Sequence, residues 1–135
     1  MIPTFNKAEY LYQCLESILA YTQVPFEVVV VDDCSQDLTP ELLARLDNVQ
    51  WVRNDTNLEF IRTSNRGARL ATGPYLLFLN NDVTVTPQWL STLLATIERY
   101  PQCGAVQGSS SGRTERCRRP GRSSGATDPR WATGG

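Results

Sequence analysis

Histidine is absent from this chain, and lysine and methionine occur once each, as Lys7 and Met1. Without an imidazole there is no histidine general base and no nitrogen metal ligand, so chemistry here must rest on oxygen groups. The four cysteines, Cys14, Cys34, Cys103 and Cys117, contain no CxxC pair. Neither a zinc site nor a dense disulfide frame is supported, and free thiols are expected. No apolar run of 18 residues is present, and no basic leader with an apolar core and cleavage site opens the chain. The expectation is therefore a soluble, cytoplasmic protein with no transmembrane segment. Neither GxGxxG nor GxxxxGK[ST] occurs, which leaves dinucleotide and P-loop readings without an anchor.

What is present suffices for one domain, since the 135 residues are 41% hydrophobic and can bury a real core. The net charge of −1 hides a split. Residues 1–106 hold 7 Lys and Arg against 12 Asp and Glu, whereas residues 107–135 hold 6 Arg against Glu115 and Asp128. That tail has no Val, Ile, Leu, Met, Phe or Tyr. Apart from Trp131 it offers little burial to offset its ordering entropy, so 107–135 is expected to be disordered or loosely packed.

Two apolar runs end in acidic residues. Phe26 to Val31 stops at Asp32-Asp33, and Tyr75 to Leu79 runs into Asn80-Asn81-Asp82. Runs of this length predict strands buried on both faces, with their polar ends in the crevice where open α/β sheets bind ligands. Ahead of both, Asn6 and Glu9 have the spacing of a capping box before a helix through Leu11, Leu15, Ile18 and Leu19. Thr39-Pro40 opens a short helix through Leu42, Leu43 and Leu46, and Val49 to Arg53 reads as a strand. Leu58 to Thr72 has a weaker helical pattern interrupted by Gly67. Thr86-Pro87 opens a helix with Leu90, Leu93, Leu94 and Ile97, and Cys103 to Val106 could begin another strand. Such alternation predicts a parallel sheet with helices on its faces.

Asp82 beside Asn80 and Asn81 suits a hard divalent cation that shares its sites with phosphate oxygens, or else it caps the following loop. Asp33 suits hydrogen bonds to a base or ribose, or an Asx-turn with Ser35. An acidic pair after a Val-rich strand, with a later aspartate at another strand end, also describes a phosphoacceptor receiver domain. That reading needs a lysine at a later strand end, and the sole lysine is Lys7. A non-catalytic nucleotide or nucleic-acid binder using the Arg-rich tail is a further alternative. The tail has little aromatic interleaving, which leaves it only unspecific phosphate attraction, so no specific nucleic-acid partner is expected.

PTFN at 3–6, VVVVDDCS at 28–35, N-x-x-F at 57–60, N-x-G at 65–67 and G-x-YLLFLNND at 73–82 together resemble glycosyltransferase family 2, with NND closest to a rhamnosyltransferase-like branch. The resemblance covers residues 2–106. It implies a three-layer α/β/α GT-A fold with a mostly parallel sheet, incomplete at both ends. Residues 1–106 would be the nucleotide-sugar-binding half and 107–135 the tail. It also implies a UDP- or dTDP-sugar donor, Mn²⁺ or Mg²⁺, and a glycan or lipid-linked acceptor. Full-length relatives would lie in the cytoplasm, peripheral to the inner face of the membrane. Pro3, Thr4, Phe5 and Asn6 would form the loop under the nucleotide, with Phe5 near the base. Asp33 would bind the base, Asn80 would hold the first position of a D-x-D motif, and Asp82 would hold the metal.

Three departures stand out. Glu59 replaces the family's usual glycine near the nucleotide, the first strand is reduced to Ile2, and the half carrying the catalytic base lies beyond the likeness. The base is therefore unknown. The tail is expected to be a frameshifted remnant, because permitted codons read two bases along yield PDG, LQEAG and WRDG segments like the family's continuation. A gene sequence whose codons exclude that reading would overturn this expectation.

Overall fold

A computed structural model describes residues 1–108 together with the backbone of residues 116–118. It divides into two compact units, one ending at Gln88 and one beginning at Trp89.

The first unit is built on three parallel strands in the order β1-β2-β3: β1 is Ile2–Thr4, β2 Val29–Asp32 and β3 Gln50–Arg53. β2 lies in the middle, with Val30 opposite both Ile2 and Trp51. Flanked on both edges, its Val29, Val30 and Val31 are buried, as a continuous apolar run predicts for a central parallel strand. The strand starts later than the run suggests. Phe26 is exposed, and the Glu27 carboxylate instead accepts the Thr72 and Gly73 N–H groups at 2.6 and 2.7 Å. Those N–H donors hold its pKa below the ordinary value.

Helix α1, Ala8–Tyr21, follows β1 and buries Leu11, Cys14, Leu15, Ser17 and Ile18. Full burial of one of its Leu or Ile side chains is worth about 2 kcal/mol. Its start departs from the expected capping box: the N-cap residue is Lys7, in the left-handed region at φ 64°. Asp37 caps the helix from outside, accepting the Ala8 N–H at 2.9 Å, and Asn6 is free to accept the Gln36 N–H at 2.8 Å. Helix α2, Thr39–Leu43, has Leu38 as its N-cap residue rather than Thr39, and it stops before Leu46.

Helix α3, Glu59–Leu70, turns its small polar face inward, burying Thr63, Ser64 and Gly67, while Phe60 and Ile61 are exposed. The periodicity through Phe60 and Ile61 thus marks the outer side. Gly67 is the point of closest approach, since a Cβ there would sit 2.5 Å from Met1 Cγ and 3.0 Å from Val31 Cγ2. Its missing side chain lets the helix lie against the sheet.

The run 75–82 is not a strand buried on both faces. It lies extended beside Met1, whose N-terminal ammonium donates to the Leu77 carbonyl at 2.7 Å and whose carbonyl accepts the Leu79 N–H at 3.0 Å. Successive residues of β1 face alternate neighbours, so Pro3 comes next on this edge and has no N–H to extend the ladder. Tyr75, Leu76 and Phe78 are each about half exposed.

In the second unit, α4 (Trp89–Arg99) is followed by β4 (Ala105–Gln107), which pairs antiparallel with β5 (Arg116–Arg118). Four residues of the tail are thus in strands, Gln107 in β4 and Arg116–Arg118 in β5, and the disorder expected of 109–115 and 119–135 falls outside the described residues. Cys103 is disulfide-bonded, correcting the expectation of free thiols throughout, whereas Cys14 and Cys34 are free. The β4–β5 pairing brings residues near Cys103 alongside the tail, a contact that sequence spacing does not reveal. No described helix is long and apolar enough to cross a membrane.

Candidate functional site

Parallel strands of a right-handed sheet deliver their carboxyl ends to one edge. At that edge of the first unit is a cleft of about 490 Å³ lined by Pro3, Thr4, Phe5 and Lys7 after β1, Asp33 after β2, and Asn57, Glu59, Phe60 and Thr63 at the start of α3. Asn80, Asn81 and Asp82 complete it. Six of the seven residues singled out from the sequence, Pro3, Thr4, Phe5, Asp33, Asn80 and Asp82, share this one wall. Asn6 is not in the lining. It braces the loop behind, donating its N–H to Ser35 Oγ at 2.7 Å while its side chain holds Gln36.

The two carboxylates at the carboxyl end of β2 have separate tasks. Asp32 is fully buried: Oδ1 accepts the Ser35 N–H at 2.9 Å, and Oδ2 faces Arg53 Nη1 at 3.5 Å. Asp33 reaches the cleft. Its Oδ1 accepts Asn54 Nδ2 at 2.6 Å and the Leu58 N–H at 2.8 Å. Burial pushes its carboxyl pKa up, but the Leu58 N–H, the Asn54 and Thr63 side chains and the Glu59 N–H outweigh this and leave it below the ordinary value. Asn54 is itself buried and braced by Arg66, so Asp33 is an ionised acceptor in a fixed orientation.

The rim at 80–82 is tied more lightly. Asn81 Nδ2 donates to Thr4 Oγ1 at 2.9 Å, and Asp82 Oδ2 lies 3.9 Å from Lys7 Nζ, with both side chains about half exposed. Beneath it, Cys14 Sγ donates to the Asn80 carbonyl at 3.7 Å, and the Val85 N–H donates to Ser17 Oγ at 3.1 Å. Burial, reinforced by the Asp82 charge, pushes the Cys14 thiol up to about 11, which keeps its proton available for that contact.

Among the described residues no three His, Cys, Asp or Glu side chains converge as a metal cage. On its open rim Asp82 would offer a carboxylate, with room for water and ligand oxygens. That donor set fits a Mg²⁺- or Mn²⁺-type ion carried on a phosphate group and does not fit a structural metal. The sequence alone assigned no site role to Lys7, Asn57, Phe60, Thr63 or Asn81. Asn57 and Phe60 belong to N-x-x-F, Asn81 to the NND run, and Lys7 directly follows PTFN, so signals for four of them were present.

Glu59 combines two features: it lines the cleft, and its φ is 64°. A side chain pays about 1 kcal/mol in that left-handed region, which gives a backbone reason for the glycine that the family resemblance implies at this position.

Comparison with known proteins gives a consistent result. Residues 1–132 match the family model described as Glycosyl transferase family 2, extending past Val106, where the sequence motifs end. An uncharacterized glycosyltransferase of Haemophilus influenzae is 34% identical over 106 residues, covering 78% of this chain and 36% of its own length. The succinoglycan biosynthesis protein ExoO of Rhizobium meliloti is 36% identical over 107 residues, covering 78% and 30%. The chain therefore spans about a third of the relatives it matches. Among solved structures, Staphylococcus aureus TarS 1–349 in complex with UDP superposes with a TM-score of 0.66 at 30% identity, over 75% of this chain and 32% of that one. The mannosyltransferase PcManGT of Pyrobaculum calidifontis, in complex with GDP-Man and Mn²⁺, gives 0.68 at 25% identity, over 76% and 32%.

Proposed function

The chain belongs to glycosyltransferase family 2, and from that membership we propose that its cleft is the donor site of a sugar transferase, binding a UDP- or dTDP-sugar with a divalent metal. The observation that carries this reading is the convergence of Asp33, Phe5 and Asp82 on one cleft. Asp33 presents an ionised acceptor to an N–H of the base, Phe5 offers an exposed ring for stacking, and Asp82 lies where a diphosphate would be held. The UDP bound by TarS supports a uridine donor, and the GDP-Man and Mn²⁺ bound by PcManGT support the coarser reading of a nucleotide-sugar site that takes a divalent metal.

In the reaction, an acceptor hydroxyl oxygen bonds to the anomeric carbon as the bond from that carbon to the diphosphate oxygen breaks. The nucleoside diphosphate leaves with the electron pair, and the hydroxyl proton passes to a base. Asp82 would hold a divalent metal, which would supply charge neutralisation to the leaving diphosphate. Asn80 and Asn81 orient that group, while Asp33 and Phe5 fix the base at the other end. No described residue is assigned as the base, and the acceptor, a glycan or a lipid-linked sugar, is proposed for the longer protein that the relatives represent. The receiver-like alternative asks for a lysine at a later strand end, and Lys7 instead follows β1. Calorimetric titration of UDP with and without Mn²⁺ tests the reading: Mn²⁺ should strengthen binding, and Asp82→Ala should abolish that gain. UDP binding indifferent to both would remove the metal from the site.

A further inference from the structure

Lys7 is the one lysine of the chain, and its placement is constrained. Both it and Asn6 before it have left-handed backbone, at φ 64° and 57°. Its carbonyl accepts the Leu11 N–H at 3.1 Å in the first turn of α1, so the residue cannot swing as a loop would. Its ammonium lies 3.9 Å from the Asp82 carboxylate and 5.7 Å from the centre of the Tyr10 ring. Lys7 and Asp82 both line the cleft. A half-exposed pair at that distance is a weak bond, easily exchanged for a stronger partner.

On the reading of this cleft as a nucleotide-diphosphate site, we propose that Lys7 is an exchangeable counter-ion, paired with Asp82 in the empty cleft and transferred to a diphosphate oxygen in the filled one. The exchange makes metal and nucleotide binding interdependent. With no nucleotide, the ammonium occupies the carboxylate that a divalent ion needs and repels that ion. Once a diphosphate arrives, it takes over the ammonium and leaves Asp82 to the metal. Lys7 is thus a positioning residue that acts on the order of binding rather than on the reacting bond.

The exchange predicts effects of opposite sign from one substitution. In Lys7→Met, Mn²⁺ alone should bind about fourfold more tightly, the weight of one positive charge several Å from a divalent ion in a water-like, salt-screened medium. UDP without metal should bind severalfold more weakly. Lys7→Arg should behave as the parent in both titrations. The experiment is calorimetric titration of the parent and both variants with MnCl₂ alone, UDP alone, and UDP with Mn²⁺ present, on samples whose circular dichroism matches the parent. Both affinities falling together, or neither moving, would overturn the exchange while leaving the donor-site reading intact. A parent chain that binds UDP under no condition would overturn both.

Discussion

The carboxyl end of β2 and the rim at 80–82 both bring carboxylates to the same cleft, yet they are held in opposite ways. Asp32 and Asp33 extend the central strand and are bonded to the backbone at Ser35 and Leu58 and to the side chains of Arg53 and Asn54. Asp82 extends a segment that meets the sheet through Met1 and one Asn81–Thr4 side-chain hydrogen bond, and its own carboxylate has one long contact with Lys7. The first arrangement is preorganised during folding, whereas the second is left for a ligand to complete. Substitutions after β2 should therefore register in stability, and substitutions on the rim in binding.

The sharpest break of that contrast is Asp32→Ala. It strands the Ser35 N–H in a buried position and removes the partner of Arg53, whose guanidinium still reaches solvent. Together these should cost about 2 kcal/mol, read as a lowered urea midpoint with an unchanged slope. A loss as small as that of an ordinary surface change, within about 0.5 kcal/mol, would show that the β2 end is no better anchored than the rim.

Asp33 sharpens the comparison through pH. Its folded pKa lies below that of an ordinary aspartate, so its hydrogen bonds stabilise the protein above the unfolded pKa. That contribution is lost as the pH falls through the folded value. Asp37 and Glu27 are lowered too, and they share the same acid window. Asp33→Asn should accordingly flatten part of the acid limb in urea midpoints measured from pH 6 downward, and it should weaken UDP binding at neutral pH. An acid limb as steep as the parent's would mean that Asp33 is not held as its geometry indicates.

How much of this was legible depended on how local each feature is. The alternation of elements, the central Val-rich strand and the acidic strand ends could be read because each follows from a short stretch of residues, and Asp33, Asn80 and Asp82 do meet in one cleft. What escaped depends on distant partners. The capping of α1 by Asp37 spans 29 residues, and the support of the rim by Cys14 spans 66. In 75–82 the residue types predicted a strand buried on both faces, but the outcome was set by Pro3, a neighbour without a donor, and by exposure of the outer side. The inward face of α3 was missed because it is made of Thr63, Ser64 and Gly67, small residues that no hydrophobic period marks.

Glu59 sits between the two regimes, because its backbone is strained like a folding feature while its side chain faces the cleft like a ligand contact. Two substitutions separate these roles. Glu59→Gly removes both charge and strain, although glycine's greater freedom in the unfolded chain offsets much of the relief, leaving a net stability change of about 0.5 kcal/mol. Glu59→Gln removes the charge alone and keeps the strain. If the carboxylate lies within several Å of a bound diphosphate, either change should tighten UDP binding by about 1 kcal/mol at a dielectric near that of water. The gain should shrink as salt is raised. Tightening by Glu59→Gly alone would place the effect in the backbone, and unchanged affinity in both would show that the side chain points away from the phosphates.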